Sequence, residues 1–378
     1  MAKLVEFCKI NMGQSPDSSS YNDIGKGMPF FQGNADFGNV HPKVRVWCDA
    51  PTKIAHPNDI LISVRAPIGA LNIANIECCI GRGLASLTAD KNKCHQKYLW
   101  YALESKVDEL NSKGTGSTFK AISKSVLFDT EIPLPSLNGQ KEISDIFDRI
   151  TSLIADRKQQ LKDLENLVKS RFIELFGEVG TDTKGWGLTR LGDCCSINPK
   201  KGDDKRLNQG LTVSFVPMPS VSEKGEIDAS DTKLYDEVKS GFTYFAEQDV
   251  LFAKITPCME NGKGAVAKGL CNGIGFGSTE FHVLRPIEGV SNPYWIYTVT
   301  AFNQFRVDAA NNMTGSAGQR RVPASFLEAY KVSVPPIDLQ KEFATFVEQT
   351  DKLKFDNLTW LVKVQRFLYN TSCLGVCL

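Results

Sequence analysis

From Ile143 onward, apolar side chains return every third or fourth position: Ile146, Phe147, Ile150, Leu153, Ile154, Leu161, Leu164, Leu167, Val168, Phe172 and Leu175. That spacing puts one apolar stripe on a helix. It predicts a helix from about Asn138 to Phe176, far longer than the ~11–12 residues usual in globular proteins. The pattern returns at Phe343, Phe346, Val347, Leu353, Leu358, Leu361, Val362, Phe367 and Leu368, predicting a second helix from about Asp338 to Tyr369. Prolines precede both (Pro133, Pro135, Pro335, Pro336) and Gln-Lys-Glu opens both; Asn138 and Asp338 read as N-caps. A helix of about 35 residues is ~50 Å long, too long for one small domain to bury. The simplest burial sets one stripe against the other, antiparallel, with a lobe at each end and approximate two-fold symmetry.

The rest of the chain reads as short β-prone runs bounded by Gly, Pro and Asn, such as DILISVRAPIGALNIANIECCIG from Asp59 and DVLFAKITPCMENGKGAVAKG from Asp249. One helix per lobe is predicted, Tyr98 to Ser112 and Tyr294 to Ala310. Anchors recur in order between the halves. LVEFCKIN (Leu4) matches LGDCCSIN (Leu191) and MPFFQGN (Met28) loosely matches VSFVPMP (Val213). DILISVRAP (Asp59) matches DVLFAKITP (Asp249), and KGTGSTFKAISKSVL (Lys113) matches MTGSAGQRRVPASFL (Met313). IPLPSLNGQKEI (Ile132) matches VSVPPIDLQKEF (Val332). The offsets, 185 to 200 residues, drift only as small loop insertions require. The fold expected is α+β: two β-rich lobes separated by an antiparallel pair of long helices, with internal two-fold pseudo-symmetry. The parts are residues 1–137, a helix over 138–177, a second lobe over 178–337, and a helix with tail over 338–378.

Charge narrows the chemistry. The net charge is +1, and the lobes are balanced: 15 Lys+Arg against 13 Asp+Glu in residues 1–135, and 16 against 16 in residues 185–335. Neither carries the basic footprint of a strong nucleic-acid binder. The 11 cysteines, without a CxxC pair, read as free thiols of a reducing compartment. No apolar run approaches the ~20 residues of a membrane span or forms a signal peptide, so a cytoplasmic protein without membrane partners is expected. No Walker loop occurs, and SNPYWI at Ser291 lacks the second proline of the Asn-Pro-Pro-Tyr motif of amino-methyltransferases. The four histidines are scattered, with His282 and Cys271 the least bland of the candidates for chemistry. No catalytic constellation, metal site or cofactor loop is legible, so a non-catalytic chain is expected.

Duplicated β-rich lobes, each followed by a long helix opened through IPLP and Gln-Lys-Glu, resemble the specificity subunit of type I restriction–modification systems. The residues carrying the resemblance are DILISVRAPIG, GTGSTFKAIS, EIPLPSLNGQKEI and KSRFIELFG in the first half. In the second they are DVLFAKITPCMENGKG, GFGSTEFHVLRP, TGSAGQRRVP and VSVPPIDLQKEF. The resemblance covers essentially the whole chain, although the tail after Tyr369, with Cys373 and Cys377, has no counterpart of ELFG. It implies that each lobe is a target-recognition domain for one half of a split DNA sequence, and that the helices set the spacing. It implies double-stranded DNA and two methyltransferase subunits as partners, with two restriction motor subunits where the system has them. S-adenosylmethionine, ATP and Mg belong to those partners, which methylate adenine N6; this chain holds no cofactor. The lobes diverge between anchors, as FFQGNADFGNVHPKVRVW from Phe30 and FVPMPSVSEKGEIDASDTKLY from Phe215 show, so an asymmetric target is expected.

Base and phosphate contacts need Arg, Lys, Asn or Gln on presented loops. The candidates are Lys113, Thr115, Ser117 and Lys120 in the first glycine-rich loop, and Gln319, Arg320 and Arg321 in the second. Arg65 and Lys254, at near-equivalent positions after the DILIS and DVLFA strands, follow, with Lys263 behind them. Glu142, Arg149, Arg157 and Lys158 on the first long helix are candidates for methyltransferase contact. The competing reading is a coiled-coil scaffold whose lobes bind a partner other than DNA, which predicts no preference for any duplex sequence.

Overall fold

The computed structural model describes residues 1–116, 120–316 and 318–373. The chain divides into two compact units, one formed by residues 1–158 with the helical residues from Thr359 onward, the other by Gln159–Leu358. Each unit holds a short two-stranded ladder and two larger sheets.

In the first unit, a four-stranded sheet has the order Cys8–Met12, Leu84–Ala89, Ile60–Ser63, Leu71–Ile73. A five-stranded sheet runs Tyr21–Asn22, Val46–Cys48, Met28–Phe31, Cys78–Ile80, Ile54–Ala55, with Met28–Phe31 parallel to Cys78–Ile80. The second unit has the order Cys195–Ile197, Phe281–Pro286, Val250–Ala253, Gly264–Val266 in one sheet and Thr232–Leu234, Thr212–Val216, Ile274–Gly277, Thr243–Ala246 in the other. There Thr212–Val216 is parallel to Ile274–Gly277. Strand order and the single parallel pair repeat, so the loose match of Met28 with Val213 marks equivalent strands.

The continuous apolar runs follow from burial on both strand faces. Ile60 and Ile62 enter the core beneath the helices while Leu61 packs between the two sheets; Val250 and Phe252 divide from Leu251 and Ala253 in the same way. The Asp that opens each run is buried and closes the turn before it. Asp59 accepts from the His56 N–H (2.9 Å) and the Thr88 hydroxyl (2.6 Å). Asp249 accepts from the Ala246 N–H (2.7 Å) and takes the Arg285 fork (2.8 and 2.6 Å).

The long helices span Leu137–Phe176 and Ile337–Cys373, each beginning one residue before the predicted cap. Asn138 is already helical and its amide donates to Glu142; the Ser136 hydroxyl accepts the Gly139 N–H (3.2 Å) and caps the first helix. The repeated Gln-Lys-Glu has a structural cause in its glutamine. The fully buried Gln140 accepts from the His95 N–H (2.8 Å) and donates to the carbonyls of Lys93 and Pro135 (both 2.9 Å). Gln340 accepts from the Asn292 N–H (2.8 Å) and donates to Val290 (3.0 Å) and Pro335 (2.8 Å). One amide thus ties each helix start to the loop leading into the lobe's own helices.

Within the second unit the long-helix segments run antiparallel: Arg171 pairs with Glu342 (2.7 Å), and Phe172 and Phe176 meet Phe343 edge-on. Within the first, the Arg157 guanidinium lies over Trp360 (5.5 Å). The stripes are not fully dry, contrary to expectation: Leu153, Leu167 and Leu353 remain 48%, 48% and 54% exposed. One neighbouring helix covers a narrower strip than the apolar arc these residues span. Each lobe helix is also two helices instead of one, Gln96–Glu104 with Val107–Ser112 and Pro293–Ala301 with Asn303–Asn311. The second break falls at Phe302, whose backbone is extended and whose ring packs on Phe172 (5.0 Å). The SNPYWI run is a helix start, Asn292 capping the Tyr294 N–H (2.9 Å) with Pro293 in the first turn. Among the described residues, no helix is long and apolar enough to cross a membrane.

Candidate nucleic-acid interface

In each unit the glycine-rich loop folds back on itself. Thr115 bridges Ala121, and Thr314 bridges Arg321. The strap lies along the segment leaving the DILIS or DVLFA strand. Ala66 N–H donates to Lys120 (3.0 Å) and Ile122 N–H to Val64 (2.9 Å); Thr256 N–H donates to Arg320 (3.1 Å) and Val322 N–H to Lys254 (2.9 Å). On the far side of that segment, Val64 N–H donates to Gly83 and Lys254 N–H to Glu280, both at 2.9 Å. Three backbone segments therefore lie side by side at one rim of each unit, fixed by the same bonds.

This register shows how near the equivalence of Arg65 and Lys254 is. Arg65 corresponds to Ile255, since Arg65 bridges Ala121 as Ile255 bridges Arg321, and Lys254 corresponds to the buried Val64. The register is the one the match of DILISVRAP with DVLFAKITP gives, in which Arg65 and Lys254 stand one position apart.

The candidates divide by what holds them. Arg65 and Lys120 are exposed on adjacent segments and, among the described residues, have no side-chain partner. Lys113 is exposed but paired with Glu109 (2.6 Å). Thr115 and Gln319 are exposed on the straps; Ser117 lies outside the described residues. In the second unit the cations turn inward. Lys263 donates to the carbonyls of Met218 (3.3 Å) and Val221 (3.1 Å), and Arg320 to those of Ala310 (2.8 Å) and Met313 (3.3 Å). Both are committed to backbone carbonyls that flank the rim. Arg321 makes a two-pronged pair with Glu280 (2.9 and 2.8 Å), which holds the Glu280 carboxyl below its ordinary range. Burial, then the Arg321 charge, pushes Lys254 down from the usual lysine range against the pull of Glu280.

His282 is a structural group here. Its Nε2 donates to the Val322 carbonyl (2.8 Å) and its Nδ1 accepts from the Asn198 amide (3.0 Å), stapling the strap to the sheet. The Asn198 carbonyl is taken by the Val283 N–H (3.0 Å), which fixes the direction of the amide and the neutral tautomer. Desolvation depresses the His282 pKa, and Lys254 depresses it further. Sequence reasoning passed over Glu280 and also Arg82. The signal for Arg82 was the flanking glycines of Gly81-Arg82-Gly83; Glu280 lies 41 residues from its partner and gave none.

Two copies of one β-rich unit, each presenting backbone-fixed loops at an equivalent rim, define a tandem-repeat protein with duplicated presentation surfaces. The family model described as the type I restriction modification DNA specificity domain matches residues 1–166 and again 183–360. The chain belongs to that family, the specificity subunits of type I restriction–modification systems. It is 39% identical over 186 residues to the type I restriction enzyme EcoAI specificity subunit of Escherichia coli, covering 47% of this chain and 30% of that one. It is 42% identical over 176 residues to the EcoEI specificity subunit of the same organism, covering 46% and 28%. These matched segments span less than a third of either relative. The crystal structure of the type I restriction–modification system S subunit from M. genitalium shares the fold over 98% of this chain and 94% of its own, with TM-score 0.56 and 15% identity.

Proposed function

We propose that this chain is the non-catalytic DNA-recognition subunit of a type I restriction–modification complex, each unit reading one half of an asymmetric, interrupted target. The observation that carries the reading is the double match: two specificity-domain copies, and in each the same three-segment rim. The long helices set the spacing between half-sites and dock two methyltransferase subunits for adenine N6 methylation, with restriction where a motor subunit joins. Bases are read from the segments that differ between units, residues 32–45 and 217–231, which join equivalent strands. The near-neutral charge fits a subunit that holds DNA weakly alone and relies on partner cations to neutralise phosphates.

The test is methylation mapping. The chain is co-expressed with its methyltransferase subunit in a host lacking adenine methylation, and N6-methyladenine is located genome-wide. Methylation at one split motif, lost when this chain is omitted, supports the proposal. Methylation unchanged by omission refutes it.

A further inference from the structure

The two rims are built alike and charged differently. The bond from Val64 to Gly83 matches that from Lys254 to Glu280, so Gly83 occupies the place of Glu280, Val64 that of Lys254 and Ala121 that of Arg321. Where the second unit has a closed set of charges, with Glu280 gripping Arg321 beside Lys254, the first has three uncharged residues. The cations of the first rim stand at neighbouring positions and are unclaimed. Arg82, next to Gly83, is exposed, as are Arg65 and Lys120 on the other two segments. Among the described residues, none of the three has a hydrogen-bond or ion-pair partner on its side chain. The counterpart of Arg82 is Thr279, also exposed but uncharged.

The turn carrying Arg82 lies close against the backbone at Gln32. A Cβ at Gly83 would lie 2.4 Å from the Gln32 carbonyl oxygen, and one at Gly81 3.0 Å from the Gln32 Cα. Only glycine permits this approach at Gly83, and a side chain at Gly81 would crowd Gln32. The Arg82 N–H is further held by the Ser15 hydroxyl (3.2 Å). A guanidinium raised on a fixed backbone, without a carboxylate to leave, loses little on taking an anionic oxygen.

We propose that Arg82, with Arg65 and Lys120, forms a phosphate-contacting rim on the first unit that the second unit lacks, so the first unit supplies most of the salt-dependent affinity. This rests on the DNA-recognition reading. The test is duplex binding by the full chain, with and without its methyltransferase subunit, followed by fluorescence anisotropy across a salt series. Each lost phosphate contact lowers the slope of log K against log salt by about 0.9, or about eightfold in affinity at 0.1 M relative to 1 M salt. Arg82→Gln is expected to show that loss equally on target and scrambled duplexes, because phosphate contacts carry no sequence information. The triple variant R65Q/R82Q/K120Q is expected to lose about 2.7 in slope. Arg82→Lys keeps the charge and should restore most of the slope, which a folding defect would not do. An unchanged slope in Arg82→Gln overturns the proposal, and a loss confined to the target duplex reassigns Arg82 to base reading. Failure of the wild-type chain to bind any duplex, even with its partner, sinks the DNA-recognition reading and this proposal with it.

Discussion

Replacing Gln140 by leucine keeps the volume of the side chain and deletes its amide. Three backbone groups then lose their partner: the His95 N–H and the carbonyls of Lys93 and Pro135. A net hydrogen bond is worth about 1 kcal/mol, and a buried group left unpaired costs about 1–3 kcal/mol. Lys93 and His95 belong to an exposed loop, so water recovers part of the loss there. The expected cost is therefore about 3 kcal/mol, near the sum of three net bonds. It falls on the opening of the helix start, which the amide ties to the lobe, and raises the local opening constant roughly 10²-fold. Native-state hydrogen exchange followed by mass spectrometry on residues 141–147 reads this directly. Gln340→Leu should give a loss of similar size over residues 341–347, because its three bonds have the same chemistry. Gln140→Glu should cost more, since it deletes both donors and places a carboxylate in a buried site. If Gln140→Leu and Gln340→Leu each cost under about 1 kcal/mol, the staple is not what makes the two halves share this sequence.

Other expectations concern single groups. The neutral form of His282 is held by burial, so its pKa in the folded chain lies below the ordinary ~6.5. The unfolded chain then binds the extra proton first, and stability present above about pH 6.5 is lost as pH falls toward the folded value. Urea midpoints between pH 5 and 8 should show that slope in the wild type and a flatter one in His282→Gln. The Asp249 carboxylate is 1% exposed and paired with Arg285, so Asp249→Ala strands a half-buried guanidinium and should cost about 3–5 kcal/mol. Asp59→Ala, which strands only a hydroxyl and an N–H, should cost about 1–3 kcal/mol; equal losses in urea unfolding would contradict the assignment. Burial pushes the thiols of Cys8, Cys78, Cys94 and Cys195 up to about 12. In a short alkylation pulse at pH 8, the half-buried Cys258 and Cys271 should be modified well before these four, as peptide mass spectrometry would reveal.

What the chain's pattern revealed, and what it concealed, follows from the range of the interactions. The DILIS and DVLFA runs read as strands because burial on both faces leaves every position apolar, a local signature. The helix pair was equally plain from its stripes. Gln140 and Gln340 belong to the repeated motif but carry no local sign of their role, because a glutamine in a first turn looks solvated. Its burial is created by a loop about 45 residues upstream. The break at Phe302 depends on Phe172, some 130 residues away, and no helical periodicity records it. At the rim, type and loop were legible but pairing was not: Arg321 and Arg320 looked as free as Lys120. Only the fold shows that Glu280 and two carbonyls have claimed them.

The boundary between compact units falls inside both long helices, after Lys158 and after Leu358, and not where one repeat of sequence gives way to the next. The inherited module and the folded module are therefore out of phase by half a helix. A hybrid gene joined near residue 180 would carry each lobe intact yet supply every unit with one helical stretch from a foreign parent. Exchange of a lobe between two such proteins thus tests two compatibilities at once, the lobe's own sequence and the fit of the borrowed helix. Joining at 158 and 358 instead would move the packed partners together, at the expense of splicing through a continuous helix.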